Sequence, residues 1–374
     1  MHLYIHIPFC RQACHYCDFH FSTSLQRKEE VVAAIAQEIS LQAYYLTNKT
    51  LETIYFGGGT PSLLDEQDFE RIFTQIEKTF KVAPNAEITL EANPDDLTLE
   101  KLVLFNKIGI NRLSIGIQSF HDEHLKKLHR IHSGEEAHRC VSMAQEVGIT
   151  NLSIDLIYAI PSDSHAILEA DLVKATSLGV THISAYCLTI EPQTVFGKWL
   201  KQRKIAAIDD EFASQQFEIL LSHLNGQGFE QYEISNFAKN EAYSRHNTSY
   251  WKQEEYLGVG PSAHSFNHHS RQYNVANNAH YLKALNQNQI PAEIEVLTKE
   301  DRFNEYLLTG LRTKWGCDLA RLNQLIEGDF RQLSKNVLDE QLNEGLILLD
   351  DTTMKLSHKG KLFADKIVSD LFLA

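Results

Sequence analysis

The sequence predicts an α/β fold: a parallel sheet flanked by helices, then a smaller α+β region that ends like a winged helix. Three observations carry that expectation. A strand-then-helix rhythm repeats six times over about residues 1–190, and such alternation implies parallel strands with helices outside. Polar and glycine-rich residues fall at the carboxyl ends of those strands, where parallel sheets hold ligands. After Glu191 the rhythm stops, and from about Thr298 the chain reads as helices with a hairpin near its end.

Leu3-Tyr4-Ile5-His6-Ile7 is a strand by its β-formers. Glu29 to Leu46 carries Val31, Val32, Ile35, Ile39 and Ala43 at helical spacing. Thr53 to Phe56 is the second strand and runs into Gly57-Gly58-Gly59-Thr60-Pro61. A helix from about Asp65 puts Phe69, Ile72, Phe73 and Ile76 on one face. Glu87 to Glu91 is a strand, Leu99 to Ile108 a helix closed by Gly109, Arg112 to Ile117 a strand, and Glu135 to Val147 a helix closed by Gly148. Leu152 to Tyr158 and Thr181 to Leu188 are two more strands, with a helix from about Ser164 to Leu178 between them. This pattern leaves a partly closed barrel and an open doubly wound sheet both standing. Glu191 to Asp210 reads as irregular and carries a basic run from Lys198 to Lys204; a helix follows from about Glu211 to Leu224. Residues 228–275 are aromatic-rich and strand-prone. Leu346–Leu349 with Met354–Leu356 forms the hairpin, and a last helix starts at about Gly360.

Apolar residues make up 43% and charged residues 22%, globular proportions that exclude general disorder. No stretch approaches the roughly 20 apolar residues of a membrane span. The segment before Cys10 is too short and polar for a secretory leader. Thirty-five basic residues against 49 acidic ones leave a net charge of −14. That balance argues against nucleic acid as a partner, because phosphate binding relies on Lys and Arg. Six unevenly spread cysteines without a leader suggest reduced thiols and a cytoplasmic location.

Cys10-Arg11-Gln12-Ala13-Cys14-His15-Tyr16-Cys17 is the most specific signal in the chain. Three thiols on one short loop after a strand can wrap one metal centre. Iron–sulfur clusters take thiolates, usually four. Three thiolates on a four-iron cube leave one iron open, and an open position is where a metal site does chemistry. Zinc would need a fourth ligand, which His6, His15 or His20 could supply; ordinary core thiols are the bland alternative. The C-x3-C-x2-C spacing in the first β/α loop favours the iron–sulfur cluster over both.

These thiols, their place after the first strand and the six β/α units resemble the radical S-adenosylmethionine (SAM) superfamily. The resemblance implies a partial (β/α)6 barrel over residues 1–190 and a [4Fe-4S] cluster on Cys10, Cys14 and Cys17. It also implies SAM, chelated at the open iron through its amino and carboxylate groups. A low-potential electron donor would then drive cleavage of SAM to a 5′-deoxyadenosyl radical.

Further segments narrow the likeness. Tyr4-Ile5-His6-Ile7-Pro8-Phe9-Cys10, Phe56-Gly57-Gly58-Gly59-Thr60-Pro61, Ile115-Gly116-Ile117-Gln118-Ser119-Phe120 and Asp155-Leu156-Ile157-Tyr158 are similar to the oxygen-independent coproporphyrinogen III dehydrogenase family. So are Tyr232 to Ala238 and Tyr256 to Ser265, so the likeness runs over most of residues 1–270. Within that family the chain looks most like the members that act as haem chaperones. The dehydrogenase has a fourth cysteine where Phe19 stands, and a longer segment before its motif than the nine residues ahead of Cys10. The chaperones carry H-N-x-x-Y-W, present as His246-Asn247-Thr248-Ser249-Tyr250-Trp251.

By this resemblance Tyr4, Tyr16, Gly58, Gly59, Thr60 and Glu91 contact SAM, the glycines letting backbone approach its amino group. Strand packing is the competing role for Tyr4, and an exposed surface position for Glu91. Gln118, Arg130 and Asp155 match positions that hold a second SAM in the dehydrogenase; an internal polar network bracing the barrel is the equal alternative. His246 and Trp251 are the haem candidates, an axial ligand and an aromatic wall, against a structural histidine beside a buried tryptophan. His264, His268 and His269 are weaker candidates, and Lys198–Lys204 reads as a solvated basic turn.

The expected organisation is a radical SAM core over 1–190, an extension over 191–297 packing on the barrel, and a winged-helix-like domain over 298–374. The expected function is a haem chaperone that binds a [4Fe-4S] cluster and SAM, takes haem as cargo and delivers it to acceptor proteins, membrane-bound respiratory proteins being one class. The alternative is an enzyme, a coproporphyrinogen III dehydrogenase or another radical reaction on a tetrapyrrole. An RNA-modifying radical SAM enzyme is weaker, because the acidic balance counts against it.

Overall fold

The first six strands alternate polar and apolar side chains, and that alternation decides where the site lies. The computed structural model describes residues 1–373. The elements of its first half are β1 (His2–Ile7), α1 (Lys28–Leu41), β2 (Thr50–Gly58), α2 (Glu66–Thr79), β3 (Lys81–Ala92) and α3 (Leu99–Lys107). Then come β4 (Arg112–Gln118), α4 (Asp122–Lys127), α5 (Gly134–Glu146), β5 (Asn151–Tyr158), α6 (Ala166–Ser177) and β6 (His182–Cys187). Strands β1 to β6 pair in sequence order, every pair parallel. Capping boxes fix two helix starts: Asp65 with Asp68 at α2, and Ser133 with Glu136 at α5.

One face of this sheet is apolar. Leu3, Ile5, Ile54, Phe56, Leu90, Leu113, Ile115, Ile154 and Ile183 pack under Ile35, Phe69, Phe105, Val141 and Leu172 of the helices. The other face is polar and lines the lumen of a partial (β/α)6 barrel. Across it Tyr55 reaches Glu91, Ser114 reaches Asp155, and Ser153 reaches His182. Successive residues of a strand point to opposite faces, so the period of two in these strands reports one face turned to the outer helices and one turned to a polar lumen.

The rest of the chain widens and closes this core. It runs through α7 (Val195–Lys201), α8 (Asp210–Gly226), β7 (Glu230–Glu233), β8 (Asn236–Ala238), α9 (Arg245–Trp251), β9 (Tyr256–Val259), β10 (His264–Phe266), β11 (Ser270–Asn274), α10 (Asn278–Leu285) and β12 (Ala292–Val296). The complete sheet has twelve strands in the order β12-β11-β10-β9-β1-β2-β3-β4-β5-β6-β8-β7. Strand β9 lies parallel to β1, and β8 antiparallel to β6. Buried Glu38 of α1 ties the added strands down. Its carboxylate accepts from the Gly260 N–H at 2.8 Å, Asn274 Nδ2 at 2.7 Å and the Tyr281 hydroxyl at 2.5 Å.

The C-terminal elements are α11 (Lys299–Leu311), β13 (Cys317–Asp318), α12 (Leu319–Ile326), α13 (Phe330–Leu333), α14 (Lys335–Asn343), β14 (Ile347–Leu349), β15 (Thr353–Leu356) and α15 (Ala364–Asp370). They enclose a second core around Phe303, Leu307, Leu322, Phe330, Met354 and Ile367. The three-stranded antiparallel sheet β13-β15-β14 supplies the wing. Arg312 joins this unit to the barrel, 3.2 Å from buried Glu233. Among the described residues no helix is long and apolar enough to cross a membrane.

Two segments differ from expectation, and a third lies where the sequence carried none. Val195–Lys201, within the stretch expected to be irregular, is helical because the Thr194 hydroxyl caps the Gly197 N–H. Arg245–Trp251, within the strand-prone stretch, is also helical, with Ser244 capping the Asn247 N–H. Strand β12 forms by pairing with β11 along five residues, a non-local cause that short-range pattern does not carry.

Candidate metal and cofactor site

The thiol loop leaves β1 and folds across the carboxyl end of the barrel. Its base is pinned where the Cys10 N–H donates to the Ser22 carbonyl at 3.0 Å and the Ser22 N–H to the Pro8 carbonyl at 2.9 Å. The His15 N–H donates to the Leu128 carbonyl and the Phe196 N–H to the His15 carbonyl, so α4 and α7 hold the loop from both sides. Arg11 pairs with Asp96 at 2.8 Å, and His6 Nε2 donates to the His20 carbonyl at 2.9 Å.

Cys10, Cys14 and Cys17 are each part-exposed and free. Burial pushes the Cys10 thiol up to about 12 and the Cys17 thiol up to about 11. A metal that takes their thiolates therefore displaces protons. Donors already face two of the sulfurs. Thr60 Oγ1 lies 3.4 Å from Cys10 Sγ, and the Arg130 guanidinium 3.4 Å from Cys14 Sγ. Hydrogen bonds and positive charge at sulfur favour the thiolate. Among the described residues no group of three His, Cys, Asp or Glu side chains is arranged to hold a metal ion.

Beside the loop lies the glycine turn that ends β2. A Cβ on Gly59 would stand 2.6 Å from the Phe9 carbonyl oxygen, and Gly58 has φ +103°. Gly59 is demanded by the backbone after β1, and Gly58 by its own positive φ with the His6 ring against it, whatever else the turn holds. Thr60 also accepts from Asn93 Nδ2 at 3.2 Å, which links this turn to the end of β3.

Glu91 faces the lumen. Its carboxylate accepts from the Tyr55 hydroxyl at 2.8 Å and the Gly58 N–H at 3.1 Å. Tyr4 stacks on Tyr55 with ring centroids 6.0 Å apart and donates to His6 Nδ1 at 3.2 Å. Tyr16 packs into a satellite cluster with Leu128, Ile157, Ile160, Leu188 and Phe196.

Burial raises the Glu91 carboxyl to about 7. The folded chain thus holds a proton that the unfolded chain has released by about pH 4.3. The contribution to stability is fully present below that pH and is lost as pH rises through about 7. Glu91→Gln is expected to flatten the fall in urea midpoint between pH 5 and pH 8. A parent and variant with equal slopes would assign the titration to another group.

Gln118 and Arg130 meet over Gly116 of β4, and Asp155 stands on the neighbouring strand β5. A Cβ on Gly116 would lie 2.9 Å from Gln118 Nε2 and 3.5 Å from Arg130. Arg130 donates to the Gly116 carbonyl at 2.7 Å and to Asn93 Oδ1 at 2.5 Å. Asp155 accepts from Ser114 at 3.3 Å, and burial raises it to about 6. Gln118 has φ +69° at the end of β4, which turns the chain there.

His246 lies away from the thiol loop, at 0% exposure. Both ring nitrogens are engaged: Nδ1 with Thr53 Oγ1 at 2.5 Å, Nε2 with the Tyr250 hydroxyl at 2.7 Å. Thr53 is also 2.9 Å from His2 Nδ1, and His2 Nε2 is 2.7 Å from Glu254. With one proton per ring the donors run in a single direction. Tyr250 donates to His246, His246 to Thr53, Thr53 to His2, and His2 to the Glu254 carboxylate. Burial holds the His246 pKa well below the ordinary range, so the ring is neutral. Trp251 sits on the same helix with the Arg312 guanidinium 5.5 Å from its ring. His2, Thr53, Tyr55 and Asn93 were not singled out from sequence; alternation with apolar neighbours puts His2, Thr53 and Tyr55 on the polar face of their strands but gives them no role.

A three-thiol loop at the mouth of a partial (β/α)6 barrel defines a radical SAM protein. The Radical SAM superfamily model matches residues 4–172, and the HemN C-terminal domain model residues 297–363. The heme chaperone HemW of Bacillus subtilis is 34% identical over 97% of each chain. That of Mycobacterium tuberculosis is 32% identical over 99% of this chain and 94% of its own, and that of Escherichia coli 37% identical over 70% and 69%. The chain belongs to the HemW family. Among solved structures, the radical SAM enzyme coproporphyrinogen III oxidase (HemN) of Escherichia coli matches with a TM-score of 0.86. At 22% identity over 99% of this chain and 89% of that one, this likeness concerns the fold.

Proposed function

We propose that this chain is a haem chaperone that carries a [4Fe-4S] cluster, binds SAM and delivers haem to acceptor proteins. The observation that carries the reading is the end-to-end likeness to relatives named HemW, joined to a thiol loop with three cysteines. Phe19 occupies the place of the dehydrogenase's fourth cysteine, which supports the chaperone over the enzyme.

In this reading Cys10, Cys14 and Cys17 hold the cluster, with Thr60 and Arg130 stabilising the charge on two sulfurs. Tyr4, Tyr16, Gly58, Gly59, Thr60 and Glu91 border the SAM position. Bound at a reduced cluster, SAM would supply radical chemistry. Arg130 already serves Gly116, Asn93 and Cys14, which favours the bracing role for the group Gln118, Arg130 and Asp155 over a second SAM. The free cysteines suit a reducing, cytoplasmic setting. Membrane-bound respiratory proteins are one class of acceptor that such a carrier would serve.

His246 is the haem ligand in this reading. Its Nε2 carries the lone pair that accepts from Tyr250, so iron can take the place of that hydroxyl without a change of tautomer. The enclosed ring requires α9 to open for haem. His246→Ala is expected to change the absorption and spin state of bound haem more than its affinity. Trp251→Ala is expected to weaken affinity and leave the ligation pattern close to the parent. Ferric haem titrations of both variants test this, and an unchanged spectrum in His246→Ala would move the ligand to another residue, His264 first.

A further inference from the structure

On a chain of net charge −14, the outer side of the thiol loop is basic. Helix α7 and the turn after it carry Lys198, Lys201, Arg203 and Lys204 with no acidic residue from Val195 to Lys204. All four are exposed, as are Lys126 and Lys127 at the end of α4. None of the six is ion-paired among the described residues. These are the two helices that grip the loop, through the bonds of Leu128 and Phe196 to His15.

Between them lies a rigid aromatic platform next to Cys14. The His15 and His129 rings stack at 4.3 Å with planes 3° apart. Each is locked through Nδ1 to a backbone carbonyl, His15 to Lys127 at 3.1 Å and His129 to Ala13 at 2.8 Å. The Trp199 ring meets His15 edge-on at 4.7 Å. Close by, Gln193 holds Asp18 at 2.8 Å, and the adjacent Phe19 ring is 70% exposed. The face thus combines a part-apolar centre, cationic flanks and direct continuity with Cys14 of the thiol loop.

We propose that this face docks an acidic one-electron carrier protein of the flavodoxin or ferredoxin type, which reduces the cluster; the proposal rests on the cluster reading given above. One electron leaves the reduced carrier and enters the cluster, and no bond or proton has to move. Opposite charges steer such encounters and make them salt-sensitive. An anionic membrane is less well suited, because Phe196 and Gly197 of α7 face inward and offer no apolar side to a bilayer.

The test uses flavodoxin as the probe and the variant Lys198→Glu/Lys201→Glu/Lys204→Glu. Its control is Lys81→Glu/Lys283→Glu/Lys335→Glu, also at exposed positions. Affinity for oxidised flavodoxin is measured on metal-free and cluster-loaded protein at low and high salt. Cluster reduction by flavodoxin hydroquinone and by dithionite is followed by stopped flow. The α7 variant is expected to lose about tenfold in affinity and in reduction rate with flavodoxin, with the salt dependence largely gone and dithionite reduction unchanged. The control should stay within about twofold of the parent. Unchanged affinity in the α7 variant would overturn the proposal. So would an equal loss in the control, or a loss confined to binding of phosphatidylglycerol vesicles. The metal-free arm reads docking even if no cluster assembles, a result that would strike the cluster reading instead.

Discussion

Serine at Cys10, Cys14 or Cys17 is expected to abolish the four-iron centre, while serine at Cys140, Cys187 or Cys317 leaves it intact. The three loop thiols share one backbone excursion, with hydrogen-bond donors already set at Cys10 and Cys14. A hydroxyl in their place keeps the volume and loses the soft anionic ligand that iron–sulfur clusters require. Cys140 and Cys317 lie in separate apolar cores, where burial pushes each thiol up to about 12. Cys187 ends β6, paired in register with Tyr158 of β5 and with its sulfur 3.9 Å from the Leu188 carbonyl, outside the thiol loop. Iron and sulfide content with the visible spectrum of anaerobically reconstituted protein check this. An intact centre in Cys14→Ser, or a lost one in Cys187→Ser, contradicts the assignment. Equimolar zinc in anaerobically purified protein would favour the single-ion alternative.

The largest effect on stability is expected from Glu38→Leu, about 3 kcal/mol by the usual cost of leaving several buried donors without an acceptor. Glu38 is fully buried, and its loss leaves the Gly260 N–H, the Tyr281 hydroxyl and one of the two Asn274 Nδ2 hydrogens without their acceptor, the other still reaching the Gly260 carbonyl at 2.8 Å. Each buried donor left without a partner costs about 1–3 kcal/mol. The same change loosens β9 to β11 from α1, and β9 is the strand that continues the sheet beyond β1. Glu38→Gln should lose less, because the amide oxygen still accepts one of these bonds. Urea unfolding of the two variants measures the difference, and a loss under about 0.5 kcal/mol for Glu38→Leu would remove the network from the list of stabilising features.

The six β/α units were legible because local signals agree there: β-formers in the strands, helical periodicity between them, and glycine stops such as Gly109 and Gly148. Barrel against open sheet was left undecided by the strand–helix rhythm, although a feature that composition hides separates the two. His2, Tyr4 and His6 alternate with Leu3, Ile5 and Ile7, and Arg112, Ser114 and Gly116 with Leu113, Ile115 and Ile117. A doubly wound sheet covered on both faces reads as a continuous apolar run; strict alternation marks one face left to a polar lumen. The thiol loop, the glycine turn and Glu91 could be singled out because their chemistry is carried by short motifs. Thr53 and Asn93 could not, because a threonine in a strand and an asparagine after one are common. Only the fold brings Thr53 to His246 across 193 positions. The helical form of the His246 segment was missed for a related reason: its cap is a single serine hydroxyl, and aromatic residues outweigh it in any local count.

The most direct measurement follows haem and coproporphyrinogen III side by side on one anaerobic, cluster-loaded preparation. The expected result is stoichiometric haem binding, transfer of that haem to an apo-acceptor, and no protoporphyrinogen IX with SAM, a reductant and an electron acceptor present. Protoporphyrinogen IX formed over many turnovers, with haem neither held nor passed on, would contradict it.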